Sequence, residues 1–211
     1  MRPVVIWGCG GHAREVNFLC EQIGQDVIGF LDERFQMKGA IVDDVPVLGD
    51  IDDIKDLLGK VDIICTGVGD PALRRRFFQK TRKAGFDLAE ALIHPSVSIS
   101  KSTHIGKNSI VCEGVVLTVN IKIGEFVIIN RSTTIGHDTI IGDYVTVSPG
   151  VNISGNVKIG DGAYIGTGTS IREKVKIGDW SVVGGGAFVK DDVPEKTLYA
   201  GVPAILKKLL P

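Results

Sequence analysis

The sequence is poor in the features that commit a chain early to a compartment, a membrane or a nucleic acid. Its 211 residues include only four cysteines, Cys9, Cys20, Cys65 and Cys112. They are widely spaced and form no C-x-x-C pair, so a reduced, cytoplasmic protein is the simple reading. The net charge is -1, and bulk electrostatics therefore point to neither nucleic acid nor anionic membrane. Long apolar runs are missing as well. Met1 to Trp7 is apolar apart from Arg2 but stops at Gly8, whereas a spanning helix takes about 20 apolar residues. No membrane insertion is expected.

What the sequence does have is glycine, 27 residues of it, and a strict period. From Ile93 to Val189 every sixth residue is Ile, Val or Leu, and no inserted residue breaks the register. The next residue is often Gly, as at Gly106, Gly124, Gly136, Gly142, Gly160, Gly166, Gly178 and Gly184. The fifth is usually small or β-branched, as at Thr103, Val115, Val127, Thr133 and Ala163. A hexapeptide period predicts a parallel β-helix. Alternate side chains of a strand face opposite sides, so each aliphatic points inward. The glycines are expected to turn the corners through positive φ. One coil cannot bury its own apolar face, but stacked coils bury a continuous column. A β-sandwich with regular turns would lack so strict a register. The β-helix is expected over residues 93–194, with 195–211 as a terminal cap.

Residues 1–92 read as an α/β unit with a small, Rossmann-like parallel sheet, because short apolar runs alternate with helical patterns. Val4-Val5-Ile6-Trp7 is a buried strand, and Gly8-Cys9-Gly10-Gly11-His12-Ala13 leads into a helix ending near Gly24. Val45 to Gly49 reads as an edge-like strand because it holds Pro46, and Ile51 to Leu58 as a helix. Gly8, Gly10 and Ala13 fit G-x-G-x-x-G/A, with Asp32 about 20 residues further on. A dinucleotide needs two mononucleotide halves, and the roughly ninety residues ahead of the repeat leave room for one. A single nucleotide or a nucleotide-sugar therefore fits better than NAD; a plain glycine turn is the bland alternative. Backbone N–H groups of Gly8, Gly10 and Gly11 at a helix start suit phosphate. Asp32 and Glu33, at a strand's carboxyl end, suit ribose or base contacts. His12 suits a phosphate or sugar contact, or merely caps the turn. Gly67-Val68-Gly69-Asp70 closes another strand and is a second candidate pocket wall, while the run Arg74 to Arg76 reads as a solvated helix face.

Together these stretches carry a resemblance. Gly-x-Gly-Gly-His-Ala after the first strand, Gly29-Phe30-Leu31-Asp32 ending the second, Gly67-x-Gly69-Asp70 with Arg following, and Ile93-His94-Pro95-Ser96 opening the hexapeptides resemble the sugar acetyltransferases. The chain is most similar to the family of sialic-acid O-acetyltransferases and N-acetyltransferases of nucleotide-linked 4-amino-sugars. The resemblance implies a left-handed β-helix and a homotrimer, with active sites between subunits. It implies acetyl-CoA as co-substrate and a nucleotide-diphospho-amino-sugar as acceptor, for bacterial surface glycan biosynthesis. His137 matches the family's general base and Asp138 its partner. The chemistry suits both, since a base near neutral pKa can take the acceptor's proton and an acid can orient it. Asn130 matches an Asn near the acceptor sugar.

The same resemblance places the acetyl thioester at Gly155, the pantetheine arm past Thr167 and Gly185, and the CoA 3′-phosphate near Lys207. One departure stands out: Thr146 occupies a position where many members carry a second His. Sugar O-acetylation and a non-catalytic nucleotide-sensing trimer therefore stay open beside N-acetylation. No metal is expected, because His104 and His137 are not spaced by a whole number of eighteen-residue coils and so share no column. The uninterrupted register leaves no arm of the repeat to grip the sugar, which points to the glycine-rich unit as the acceptor holder.

Overall fold

The run Val4-Val5-Ile6-Trp7 is buried along its whole length and forms the middle of a six-stranded sheet. In this computed structural model, which describes residues 2–211, the strands are β1 (Val4–Trp7), β2 (Val27–Leu31), β3 (Ile41–Val42), β4 (Val45–Gly49), β5 (Asp62–Ile64) and β6 (Asp87–Leu88). Their spatial order is β3-β4-β2-β1-β5-β6. Only β3 and β4 run antiparallel. The order reverses direction at β1, so its carboxyl end opens a crevice of the kind that holds ligands in such sheets.

Two helices are placed by their caps. Helix α1 (Gly11–Ile23) ends at Gly24, whose φ of 71° lets its N–H return to the carbonyls of Cys20 and Glu21. Helix α2 (Pro71–Ala84) starts with Pro71 in its first turn and Asp70 as cap. The Asp70 carboxylate accepts from Leu73 N–H at 2.7 Å. Trp7 ties α2 to the sheet. It is fully buried, stacks on Phe77 at 4.2 Å between centroids, and donates Nε1–H to Thr81 Oγ1 at 2.9 Å.

Two local expectations change. β4 lies one place in from the edge, covered by β3. Hydrogen bonds on the β3 side run through Val47, whose N–H donates to Ala40 and whose carbonyl accepts from Gly39, both at 2.8 Å. They skip Pro46, so the missing donor costs nothing there. The segment Ile51–Leu57 is 3₁₀ rather than α, broken at Ile54 and started by a reciprocal Asp50–Asp53 capping box.

The chain divides into two compact units, Met1–Leu92 and Ile93–Pro211. The second is a parallel β-helix. Its two-residue strands pair with the strand eighteen residues on, as in Val111↔Ile129, Leu117↔Ile135 and Ile123↔Ile141. Three sheets result, one per hexapeptide of the coil. The aliphatics from Val111 to Val193 form one continuous buried cluster, as stacking requires. Ahead of it Ile93 and Ile105 are only partly buried and Ile99 is 44% exposed, because their strands are the open ends of the three sheets. At the other end the strand Thr197–Ala200 extends the first sheet, and Ile205–Leu209 adds antiparallel to it.

The corner glycines act otherwise than expected. Positive φ falls on the fourth residue of the hexad, for instance Asn120 (55°), Asp138 (58°) and Gly150 (69°). The second-position glycines are needed for close stacking instead. A Cβ on Gly136 would lie 2.6 Å from the backbone nitrogen of Gly155 in the next coil.

Candidate active site

His137 and Asp138 are third and fourth in their hexad, at the corner between the strands Thr134–Ile135 and Ile140–Ile141. The left-handed φ of Asp138, which a short polar side chain tolerates, sets its carboxylate beside the imidazole. Asp138 Oδ2 lies 2.7 Å from His137 Nδ1. The corner is stitched on both sides: Asp138 N–H donates to the Val119 carbonyl, and Asn156 N–H to the His137 carbonyl. Asp138 Oδ1 accepts from Asn120 Nδ2 at 2.6 Å, one coil earlier. That bond, and then the one to His137, hold the Asp138 carboxyl below the usual carboxylate range. An ionised Asp138 can only accept, so Nδ1 carries the hydrogen of this bond, and in the neutral ring the lone pair is then on Nε2. The imidazole is 57% exposed, open to a substrate.

Gly155 stands one coil beyond. A Cβ there would lie 2.5 Å from His137 Nε2. The room expected for a thioester is thus first of all room for the imidazole edge. The Gly155 carbonyl accepts from Lys174 N–H.

Thr167 and Gly185 are both exposed and stack on each other, with Gly186 N–H donating to the Thr167 carbonyl at 2.8 Å. They occupy a different corner, between the first and second sheets, whereas His137 and Gly155 lie between the second and third. One copy of the chain does not bring these two groups together. Asn130 is on the Thr167 corner; it is buried, and its Nδ2 donates to the Val147 carbonyl at 3.2 Å. Thr146 is buried on its strand. Lys207 is exposed on the last strand.

A second candidate site lies at the carboxyl ends of β1 and β2. A cavity of about 320 Å³ is lined there by Gly8, Gly10, Asp32, Glu33, Arg34 and Arg76, with apolar side chains including Phe77. Asp32 is held by Arg34 through two parallel bonds, Nε to Oδ1 at 2.8 Å and Nη2 to Oδ2 at 2.7 Å. The fork is the strong bidentate geometry, and it brings the Asp32 carboxyl down to about 2. Cys9 Sγ donates to the same carboxylate at 3.0 Å. Burial, then Asp32, push the Cys9 thiol up to about 11, so it is no nucleophile. Glu33 pairs with Arg76 and, at 2.6 Å, with Lys80.

Several expected pocket residues lie elsewhere. Gly11, His12 and Gly67 do not line this cavity. Gly67 is a packing glycine: a Cβ would fall 2.0 Å from the Trp7 carbonyl oxygen. His12 faces Glu15 at 3.5 Å, and burial pulls its pKa down. The arginine run is not one solvated face. Arg74 is fully buried and donates to the carbonyls of Val68 and Gly69, bracing the loop that Gly67 begins.

Family models match both units. The PglD N-terminal domain covers residues 3–81, and the bacterial transferase hexapeptide (six repeats) covers 120–155 and 156–191. Perosamine N-acetyltransferase from Caulobacter crescentus, solved with CoA and GDP-perosamine as a His-to-Asn mutant, is 31% identical over 98% of this chain and 97% of that one, at a TM-score of 0.90. The chain belongs to the hexapeptide-repeat acetyltransferases that carry a PglD N-terminal domain. The acetyltransferase domain of PglB from Neisseria gonorrhoeae, solved with acetyl coenzyme A, is 32% identical over 98% and 99% of the two chains, at a TM-score of 0.88. WeeI from Acinetobacter baumannii is 30% identical over 98% and 100%, at 0.87. No curated protein matches the sequence. Among the described residues no group of His, Cys, Asp or Glu is arranged to hold a metal, and no helix is long and apolar enough to cross a membrane.

Sequence reasoning does not single out three members of these sites: Asn120, Arg34 and Arg76, the last read there as part of a solvated helix face. Asn120 was signalled by its spacing of eighteen residues from Asp138. Arg34 stands two residues after Asp32, and nothing in the spacing singles it out.

Proposed function

We infer that this chain transfers the acetyl group of acetyl-CoA to the amine of a nucleotide-linked amino-sugar. The observation that carries the reading is full-length similarity to an enzyme solved with CoA and GDP-perosamine. The His137–Asp138 pair supports it chemically. The acceptor amine nitrogen attacks the thioester carbonyl carbon. A C–N bond forms, the C–S bond breaks, and CoA leaves. His137 Nε2 takes the proton that the amine sheds and returns it to the CoA sulfur. Asp138 orients the imidazole and stabilises the imidazolium. The Gly155 N–H is the donor we assign to the developing oxyanion. The nucleotide belongs in the Asp32–Arg34 cavity, where Arg34 and Arg76 favour phosphate and the acids favour ribose or base.

The separation of the Gly155 and Thr167–Gly185 corners favours a homotrimer. A CoA that touches both edges needs two copies of the β-helix, so each site would lie between neighbours. The four cysteines form no disulfide among the described residues, which fits a reducing compartment, and we place the enzyme in the cytoplasm.

The test is CoA release from acetyl-CoA with UDP-, GDP- and dTDP-linked 4-amino-sugars, beside sialic acid. Release is expected with at least one amino-sugar nucleotide and not with sialic acid. Release with sialic acid alone would move the reading to O-acetylation, and a protein that does not bind CoA is not this enzyme.

A further inference from the structure

We propose that Asn120 is a positioning residue for the His137–Asp138 pair. The inference rests on reading His137 as the base. Asn120 does not touch the imidazole; it acts through the carboxylate, as its Nδ2 donates to Asp138 Oδ1 at 2.6 Å while Oδ2 faces His137 Nδ1 at 2.7 Å. Each carboxylate oxygen therefore has one partner, and the two bonds fix the plane of the group. A carboxylate with a free oxygen rotates easily about its last torsion, which is broad and two-fold. Asp138 is about half exposed, so without Asn120 water competes for Oδ1 and the plane is free to turn. The imidazole would then lose the acceptor that keeps its hydrogen on Nδ1 and its Nε2 lone pair outward.

The placement of Asn120 is itself built into the repeat. It sits at the left-handed corner position, with φ of 55°, which Asn occupies at little cost. Its own N–H donates to Ser102 Oγ at 2.8 Å, one coil earlier. The backbone is thus anchored from behind while the side chain reaches forward. Its amide is required as a donor. A carboxylate in the same place would face Asp138 with like charge.

Two variants test this. Asn120→Gly removes the amide but keeps a residue at ease with positive φ. Asn120→Asp keeps the shape and reverses the polarity. Asn120→Gly is expected to lower kcat about tenfold, the cost of a misaligned catalytic group, with both KM values within about twofold of wild type. ¹⁵N shifts of His137 are expected to show a mixture of tautomers in place of one. Asn120→Asp is expected to raise the acidic-limb pKa of kcat/KM by about one pH unit, since added negative charge favours the imidazolium. A wild-type kcat and an unchanged His137 tautomer in Asn120→Gly, whatever its Tm, would overturn the proposal and leave Asn120 as a stitch between coils. Failure of the base reading shows separately, as full activity in His137→Ala. The tautomer measurement still decides whether Asn120 orients the ring in that case.

Discussion

Gly67 in the α/β unit and Gly155 in the β-helix both refuse a side chain, for opposite reasons. At Gly67 the obstacle is the Trp7 carbonyl oxygen, 2.0 Å from where a Cβ would be. That oxygen belongs to a buried central strand and cannot yield. At Gly155 the obstacle is the far end of His137, with Nε2 at 2.5 Å. That ring is exposed and can swing away. The first glycine protects the fold; the second protects the position of the imidazole proposed as the base. A glycine at a candidate site is thus no evidence of ligand contact until its neighbour is known.

Substitutions can break or sharpen this contrast. The largest effect is expected from His137→Ala, which should cut kcat about 100-fold or more, the range for loss of a general base. Near-full activity would remove the ring, and with it the functional meaning of Gly155. Next comes Gly155→Ala. With the imidazole pushed aside, kcat is expected to fall by roughly 30-fold, as small misplacements do, while Tm by scanning calorimetry stays put. Gly67→Ala should do the reverse. Its clash with backbone is expected to cost about 2 kcal/mol, read as a Tm lower by about 5 °C, with kcat per folded molecule unchanged. A catalytic loss at Gly67 or a stability loss at Gly155 would dissolve the distinction.

The smallest effect concerns Asp32, on the cavity side of the α/β unit. Its carboxyl titrates at about 2 in the folded chain against 3.8 ordinarily. A lowered pKa means that ionised Asp32 stabilises the fold. The contribution is whole above about pH 4 and is lost as pH falls through about 2. Asp32→Asn is therefore expected to flatten the decline of Tm between pH 4 and 2. The same variant should raise KM for the sugar nucleotide by about tenfold and leave that for acetyl-CoA alone. Parallel Tm curves would show that the Arg34 fork adds no stability, and equal shifts in both KM values would place the nucleotide elsewhere.

The two units differ also in how far they were legible. The β-helix repeats one local rule, so each aliphatic position announces its face and each residue its corner, counted in eighteens. His137 and Asp138 are adjacent in sequence and were readable as a pair. Asn120 sits one full coil away, and its side chain's lean toward Asp138 was not readable. The same count shows that Thr167 and Gly185 lie on another corner than Gly155, which the resemblance alone had run together. In the α/β unit the decisive contacts join distant segments. Arg74 shares a helix face with Phe77 and Thr81, a spacing that would have marked it as buried. A run of three arginines reads as solvated only because charged side chains seldom go inside.

By itself, then, the sequence determined the β-helix, its register and the α/β unit before it, because each follows from spacing along a regular element; it also set His137 beside Asp138, a pair to which the resemblance alone attached a role. Only the tertiary structure decided which glycines leave room and for what, that Arg34 rather than solvent holds Asp32, and that Asn120 completes the carboxylate's contacts. Those outcomes depend on where side chains from separate segments meet, and no local pattern carries that information.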